Sequence, residues 1–379
     1  MSTANYHRLV VKLGTSTLTA GTPHLSLPRL EDLVRQIADI CSAGCEVILV
    51  SSGSMAAGRE ALSFPALPKE IPAKQMLSAV GQPRLMAHYE ELFSFYGYTV
   101  AQVLLTRGDL ARRRSYLNAR NTLQALLDHN VVPVVNENDA VTTEEIRVGD
   151  NDNLSALVAN LIDADMLLML TDQPGIFTAD PRIDPKATLF TEITSPEIPE
   201  EMWRAAGHAG HTLGTGGMVT KLQAADLARR SGTTVVVAHG SDSNVIMRSI
   251  RGEAIGTRFP ALVTTLESRK RFILSGADGT GSVQIDAGAA RALLTGSSLL
   301  PVGVTSVSGD FDRGDTISVL NTDGSELARG LTSYQASAMT KIAGRQSREI
   351  EPILGYAYGE EVIHRDQLVL LARQEDKPT

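Results

Sequence analysis

The sequence predicts an α/β fold with a largely parallel sheet, covered by helices on both faces to make a three-layer αβα sandwich. A small, mostly-β domain follows it. Three observations lead there. Apolar runs of strand type, such as Val131–Val135 and Met166–Leu170, alternate with helix-period segments, and parallel neighbours need such crossover connections. Those runs are apolar throughout, the pattern of strands buried on both faces. Beyond about residue 260 the texture changes to short strand-like pieces split by Gly and Asp turns.

His7–Lys12 reads as a strand running into Leu13-Gly14-Thr15-Ser16. Leu30–Cys41 has the period of an amphipathic helix, and Glu46–Val50 is the next strand, ending in Ser51-Ser52-Gly53-Ser54. After Pro65, Pro68 and Pro72, two helices are expected near Gln75–Ala79 and Arg84–Phe95, a strand near Thr99–Leu105 and a helix near Tyr116–His129. The strand at Val131–Val135 ends in Asn136-Glu137-Asn138-Asp139. Gly149–Ser155 then opens a helix with Leu154, Leu157, Val158 and Leu161 on one face and Asn153 or Asp152 as its N-cap. Met166–Leu170 and Thr233–Ala238 are further strands. Pro260–Arg271 reads as a charged connection. Past it lie the pieces Ser282–Ile285, Gly303–Val307, Thr316–Leu320 and Leu368–Leu371, between turns at Gly309–Asp315 and Asn321–Gly324. The expected division is 1–260, a linker at 261–278, and 279–379 with a core at about 279–357 and a polar tail from Gln374.

At 379 residues the chain is long enough for two domains. Aromatics make up only 4% and the net charge is −8, which argues against stacking platforms for bases and against a binder of phosphate backbones. Met1–Arg8 lacks the basic start and apolar core of a signal peptide, and no apolar run approaches the ~20 residues of a membrane span. Cys41 and Cys45, four apart on a helix with no His nearby, read as reduced thiols of a cytoplasmic protein.

Common nucleotide signatures are missing. No Gly-Lys pair occurs, so there is no Walker A loop, and no GxGxxG, HExxH or GxSxG motif is present. Instead, three strand ends finish in small and hydroxyl residues: Lys12-Leu13-Gly14-Thr15-Ser16, Ser51-Ser52-Gly53, and Thr171-Asp172 with Gly175. Small residues let backbone N–H groups approach an anion, and Lys12 adds a point charge; a strand Lys can equally snorkel at an edge. Gly214-Thr215-Gly216-Gly217-Met218-Val219-Thr220-Lys221 makes a second such signal, a glycine loop entering a helix with Lys221 in its first turn. Carboxylates and amides gather at Asn136–Asp139 and Gly149–Ser155, where a strand ends and a helix begins, the place where open α/β sheets hold ligands.

Together these blocks resemble the amino-acid kinase family over nearly the whole chain. Val11–Ser16, Ser51–Gly53, Asn136–Val141, Val148–Ala156, Leu170–Gln173, Thr178–Arg182 and Gly214–Ala225 all carry the resemblance. Gly296–Gly303 and Ile353–Tyr356 are similar to a C-terminal PUA domain. Ser54-Met55 departs from the family's more usual Ala and aliphatic residue, beside the substrate loop. The resemblance implies transfer of a phosphoryl group from ATP, with Mg²⁺, to the side-chain carboxylate of L-glutamate, the first step of proline synthesis. It implies catalytic roles for Lys12, Lys221 and Asp152, and substrate contacts from Ser52, Gly53, Asn136, Asp139 and Asn151. ATP would be held by Lys12, Gly14, Thr171, Asp172 and the run Thr215, Gly216, Gly217, Met218, Val219, Thr220 and Lys221. No dedicated metal cage is expected, since Mg²⁺ is held largely by substrate and water. The resemblance further implies inhibition by proline, a homo-oligomer (dimer or tetramer), a cytoplasmic location, and contact with the reductase that consumes glutamyl phosphate. N-acetylglutamate and aspartate are the competing acceptors.

PUA-like domains are similar to RNA-binding modules, so RNA is the alternative of a different class. Residues 279–357 hold six Lys and Arg against eight Asp and Glu, without the basic footprint that RNA favours. His208 and His211 flank Gly210 before the glycine loop but read as surface residues, and none of the eight histidines is assigned a catalytic role.

Overall fold

The apolar runs become strands. The computed structural model describes residues 6–67, 70–142, 150–179, 181, 184–208, 216–275 and 281–371. Its chain divides into one unit of Met1–Leu110 and Ala119–Thr265 and another of Ala111–Asn118 and Leu266–Thr379. In chain order come β1 (Arg8–Leu13), α1 (Thr15–Thr19), α2 (Leu27–Ser42), β2 (Glu46–Ser51), α3 (Ser54–Ala61), α4 (Ile71–Ser94), β3 (Thr99–Leu105), α5 (Arg107–Ala111) and α6 (Arg113–Asp128). They are followed by β4 (Val131–Glu137), α7 (Asp150–Leu161), β5 (Met166–Thr171), α8 (Glu200–His208), α9 (Gly216–Arg230), β6 (Thr234–His239), α10 (Val245–Ile250), β7 (Thr257–Phe259) and α11 (Thr265–Ser275).

The seven strands order as β3-β4-β2-β1-β5-β6-β7, with β7 antiparallel to β6 and every other pair parallel. β1 is central, flanked by β2 and β5, so the chain winds outward on one side and returns to the other. Strand alternation divides β1 between two layers. Leu9, Val11 and Leu13 join the core that contains Leu30, Leu33 and Ile37 of α2. Val10 and Lys12 therefore point to the opposite face, where α7 packs on β1 and on α9. α2 earns its place by the same logic: its apolar residues recur at helical spacing, and Pro28 sits in its first turn, where a missing N–H leaves nothing unpaired.

Two expectations give way in this unit. The helices foreseen near Gln75–Ala79 and Arg84–Phe95 are one 24-residue helix, α4, which continues through Pro83. Pro83 removes one backbone donor, while buried Leu77, Leu85, Tyr89 and Phe93 anchor the helix on both sides of it. Much of the charged connection is also helical, since α11 begins at Thr265.

α4 lies against α3 at backbone contact. A Cβ on Gly81 would stand 1.7 Å from the Ser54 carbonyl oxygen, and one on Gly58 would stand 2.0 Å from that of Leu77. This crossing fixes α4 beside the Ser52-Gly53 turn, where Gly53 has φ +104° and starts α3.

In the second unit, β8 (Gly281–Ile285), α12 (Ala287–Leu294), β9 (Val304–Gly309), β10 (Thr316–Leu320), β11 (Glu326–Leu331), α13 (Ala336–Ile342), α14 (Ile350–Leu354) and β12 (Leu368–Leu370) surround a core that includes Val283, Ile285, Ile317, Val319 and Tyr334. The sheet order is β12-β11-β10-β8-β9, and only β8–β10 pair in parallel among its named pairs. Asp286 caps α12 by accepting from the Ala289 N–H at 2.7 Å. β11 was not foreseen. At Gly330 within it a Cβ would meet Ile363 Cγ2 at 2.6 Å, so the glycine permits a close approach.

Gly81→Ala should lower unfolding stability by at least ~2 kcal/mol, because the new methyl meets backbone rather than a yielding side chain. Gly207→Ala in α8, where a Cβ meets nothing within 4 Å, should be neutral or slightly stabilising. Urea unfolding of both variants checks the contrast.

Candidate active site

Parallel packing of β4, β2, β1 and β5 brings four carboxyl ends side by side. Asn136 and Glu137 close β4, Ser51 closes β2, Lys12 and Leu13 close β1, and Thr171 closes β5. Lys12 sits in register with Val50 on one side and Met169 on the other. A Lys in the central strand has no edge at which to snorkel. Its ammonium is instead 2.6 Å from Asp152 Oδ1, and both groups are buried.

Asp152 comes from the first turn of α7. The helix begins at Asp150, so Asp152 lies inside it and serves as an anion, not as its N-cap. Its second oxygen, Oδ2, lies 3.2 Å from Lys221 Nζ and accepts from the Thr220 hydroxyl at 2.7 Å. Thr220 and Lys221 belong to α9. That helix starts at Gly216, so Gly216–Thr220 are helical where a loop was expected, and Lys221, expected in the first turn, stands in the second. Lys221 Nζ also donates to the Gly217 carbonyl at 3.1 Å. Burial pushes the Asp152 carboxyl up, but Lys12, Lys221 and the hydrogen bonds from Lys12 and Thr220 outweigh it and hold it below its ordinary value. Burial, reinforced by the charge of Lys12, pushes the Lys221 ammonium down against the pull of Asp152.

Two ammonium groups around one carboxylate leave a surplus positive charge in a buried place. A glycine stands beside each ammonium. A Cβ on Gly14 would be 3.5 Å from Lys12 Nζ, and one on Gly217 would be 3.4 Å from Lys221 Nζ. Side chains at either position would occupy the space next to the cations. The arrangement suits a phosphate, which needs charge and close backbone approach together.

A polar group of opposite character adjoins it. Asn151, the neighbour of Asp152, donates from Nδ2 to Ser52 Oγ and to Asn136 Oδ1, each at 2.9 Å. Asn136 is saturated by protein partners, donating to Gln82 Oε1 at 2.9 Å and accepting from the Glu137 N–H at 2.9 Å. Asp139 accepts from the Ser78 hydroxyl at 2.7 Å. Thr171 donates to Asp172 at 3.0 Å, at the end of β5.

Of the residues singled out from sequence, Lys12, Asp152 and Lys221 form one cluster, and Ser52, Asn136 and Asn151 form a second. Gly14 and Gly217 border the cations, Gly53 forms the turn after Ser52, and Met218 and Val219 lie on α9. Gly149, Gly214 and Thr215 lie outside the described residues, as do Asp180, Arg182, His211 and the tail from Gln374. Ser54, Ser78, Gln82 and Gln102 take part in the second cluster without having been assigned roles. Ser78 and Gln82 stand at i, i+4 spacing within an otherwise apolar helical face, and that was the available signal.

The Amino acid kinase family pattern matches residues 7–239, and the PUA domain pattern matches residues 281–354. The chain belongs to the amino acid kinase family. It is 51% identical over 371 residues to the glutamate 5-kinase of Shewanella amazonensis, covering 98% of this chain and 97% of that one. It is 53% identical over 365 residues to the glutamate 5-kinase of Deinococcus radiodurans, covering 96% and 100%. The Aliivibrio fischeri glutamate 5-kinase is 54% identical over 364 residues, covering 96% and 98%.

Removing the shared carboxylate should be felt in stability. Asp152→Asn leaves two buried ammonium groups without an anion and should cost about 3 kcal/mol at pH 7. Because the folded carboxyl holds its proton less tightly than the unfolded one, the contribution of Asp152 is complete above the ordinary value of 3.8. It fades as pH falls through the lower folded value. Urea unfolding of both proteins across pH 7 to 2.5 should show the deficit of Asp152→Asn constant above about pH 5 and shrinking below pH 3.8.

Proposed function

We propose that the chain transfers the terminal phosphoryl group of ATP to the side-chain carboxylate of L-glutamate, giving L-glutamyl 5-phosphate and opening proline synthesis. The observation that carries the reading is the buried Lys12–Asp152–Lys221 cluster with a glycine beside each cation. The 51–54% identity to named glutamate 5-kinases over almost the whole chain supports it.

The reaction asks little proton chemistry of the protein. A glutamate side chain with a pKa of ~4.3 is already ionised at pH 7, so no general base is needed. The difficulty is to bring one anion against another and to hold a loose, highly charged transition state, which calls for fixed cations and donors. Lys12 and Lys221 supply the cations. Asp152 holds both in place, and Thr220 holds Asp152. Ser52, Gly53, Asn151 and Asp139 take glutamate, with Asp139 receiving its ammonium. Thr171, Asp172 and residues 215–221 take ATP. Among the described residues no group of three or more His, Cys, Asp and Glu side chains is placed to hold a metal. Asp152 is engaged by both lysines, so Mg²⁺ would be carried mainly by phosphate oxygens and water and would neutralise developing charge.

Residues 1–260 carry this chemistry, and 279–379 form the PUA-like domain, whose acidic balance favours a structural or regulatory role over RNA binding. No helix among the described residues is long and apolar enough to cross a membrane. Cys41 and Cys45 are unbonded, and burial pushes the Cys41 thiol up to about 12; a cytoplasmic location belongs to the same reading. Homo-oligomeric assembly and contact with the reductase that consumes the acyl phosphate belong to the same reading.

Hydroxylamine trapping tests the function. ATP with L-glutamate, but not with L-aspartate or N-acetyl-L-glutamate, should give hydroxamate. Lys221→Ala should lower the rate by ~10²–10³-fold, as loss of a main transition-state cation does. Hydroxamate from another acid would keep the family and discard the acceptor. No turnover with any of them would turn attention to RNA, whose binding would fall steeply with salt.

Proline shares the α-ammonium and α-carboxylate of glutamate and is proposed to inhibit at the acceptor site around Asp139. Steady-state rates at several glutamate concentrations should show proline raising the apparent KM for glutamate. Inhibition that glutamate cannot relieve would remove the overlap.

A further inference from the structure

The second polar cluster contains more machinery than the acceptor reading uses. α4 crosses α3 at the Gly58 and Gly81 backbones and presents two polar side chains to the site, Ser78 and Gln82, only 5% and 7% exposed. Buried polar groups are destabilising unless partnered, and both partnerships lead toward the acceptor end.

The first arm is an aligned chain of amides. Gln82 Nε2 donates to Gln102 Oε1 at 3.1 Å, Asn136 Nδ2 donates to Gln82 Oε1 at 2.9 Å, and Asn151 Nδ2 donates to Asn136 Oδ1 at 2.9 Å. Each bond fixes which way the next amide is turned. Along this chain every amide turns an NH₂ hydrogen back toward Gln102, the Asn151 NH₂ also donating to Ser52 Oγ at 2.9 Å, so the chain terminates in an oxygen. Asn151 Oδ1 is a buried atom without a protein partner. The second arm ends in an oxygen too. Ser78 Oγ lies 2.7 Å from Asp139 Oδ2 and 3.0 Å from Ser54 Oγ, and its single proton goes to the carboxylate, the stronger acceptor. The arms meet at Ser54, whose hydroxyl also lies 3.5 Å from Asn136 Nδ2.

The two arms, linked at Ser54, end in an amide oxygen and a carboxylate, each oriented from behind, a pair that selects a group that only donates and carries positive charge. A primary ammonium fits. An N-acylated nitrogen, neutral and with one N–H, does not. We propose that Ser78 and Gln82 are positioning residues that set selectivity for a free amino group, Ser78 by orienting Asp139 and Gln82 by orienting Asn151 through Asn136. The proposal rests on glutamate being the acceptor.

The test compares glutamate with glutarate, the same dicarboxylate without the ammonium. Ser78→Ala and Gln82→Leu are assayed for glutamate KM, ATP KM, kcat, and the inhibition constant of glutarate against glutamate. Losing a hydrogen bond that orients a charged contact should raise glutamate KM by roughly tenfold. ATP KM, kcat and glutarate inhibition should stay within about twofold, because a ligand lacking the ammonium does not feel the change. Ser78→Thr, which keeps the hydroxyl, should recover most of the loss. Equal weakening of glutamate and glutarate would mean a merely structural role and would overturn the proposal, as would no change in either. If one variant does not fold, the other carries the same comparison. Absence of glutamate turnover in the unsubstituted protein would remove the substrate assignment itself, and this proposal with it.

Discussion

One buried carboxylate holds the site together. Lys12 and Lys221 come from β1 and α9, and two ammonium groups brought together without an anion repel each other by several kcal/mol at the effective dielectric of a protein site. Asp152, 2.6 Å from one and 3.2 Å from the other, turns that repulsion into a bound triad with one charge to spare. On the proposed reading, that spare charge is what meets the transferred phosphate.

Everything that the triad requires of the fold can be traced to sheet order and strand alternation. With β1 central, the even positions of its run point toward α7 and α9, so Val10 packs and Lys12 reaches the helix termini, while Leu9, Val11 and Leu13 seal the other face against α2. The glycines follow from the same crowding. Gly14 and Gly217 leave open the space beside the ammonium groups, and Gly58 and Gly81 let α4 approach closely enough for Ser78 and Gln82 to reach Asp139 and Asn136.

Much of this was legible in the chain because its signals are local. Apolar runs give strands, small residues after them mark tight turns, and a Lys inside a buried strand asks for an anion. The features that were not legible depend on partners distant in sequence. Pro83 looks like a helix end until the apolar contacts on both sides hold α4 continuous. β11 carries too weak a strand signal to be foreseen, and the crowding of Ile363 against Gly330 shows why no side chain stands there. Asp152 reads as a cap from its place at a helix start, and only the family resemblance joined it to Lys12 and Lys221, the partners it has in the structure. Gly216–Thr220 reads as a loop because glycine is a poor helix former, yet α9 begins there, with Thr220 and Lys221 held at Asp152.

The site divides its electrostatics at a single peptide. Asn151 and Asp152 are consecutive in the first turns of α7, and a helix turns its side chains about 100° per residue. Asp152 faces the cations, and Asn151 faces the oxygens of Ser52 and Asn136. One half therefore attracts anions and the other ends in acceptors for a cation. On the proposed reading, a zwitterionic amino acid whose carboxylate must meet phosphate is asked to fit both halves in one orientation, side-chain carboxylate toward the lysines and ammonium toward Asp139 and Asn151. Placing Asn151 and Asp152 on adjacent residues of one helix couples the two halves: neither can shift without dragging the other.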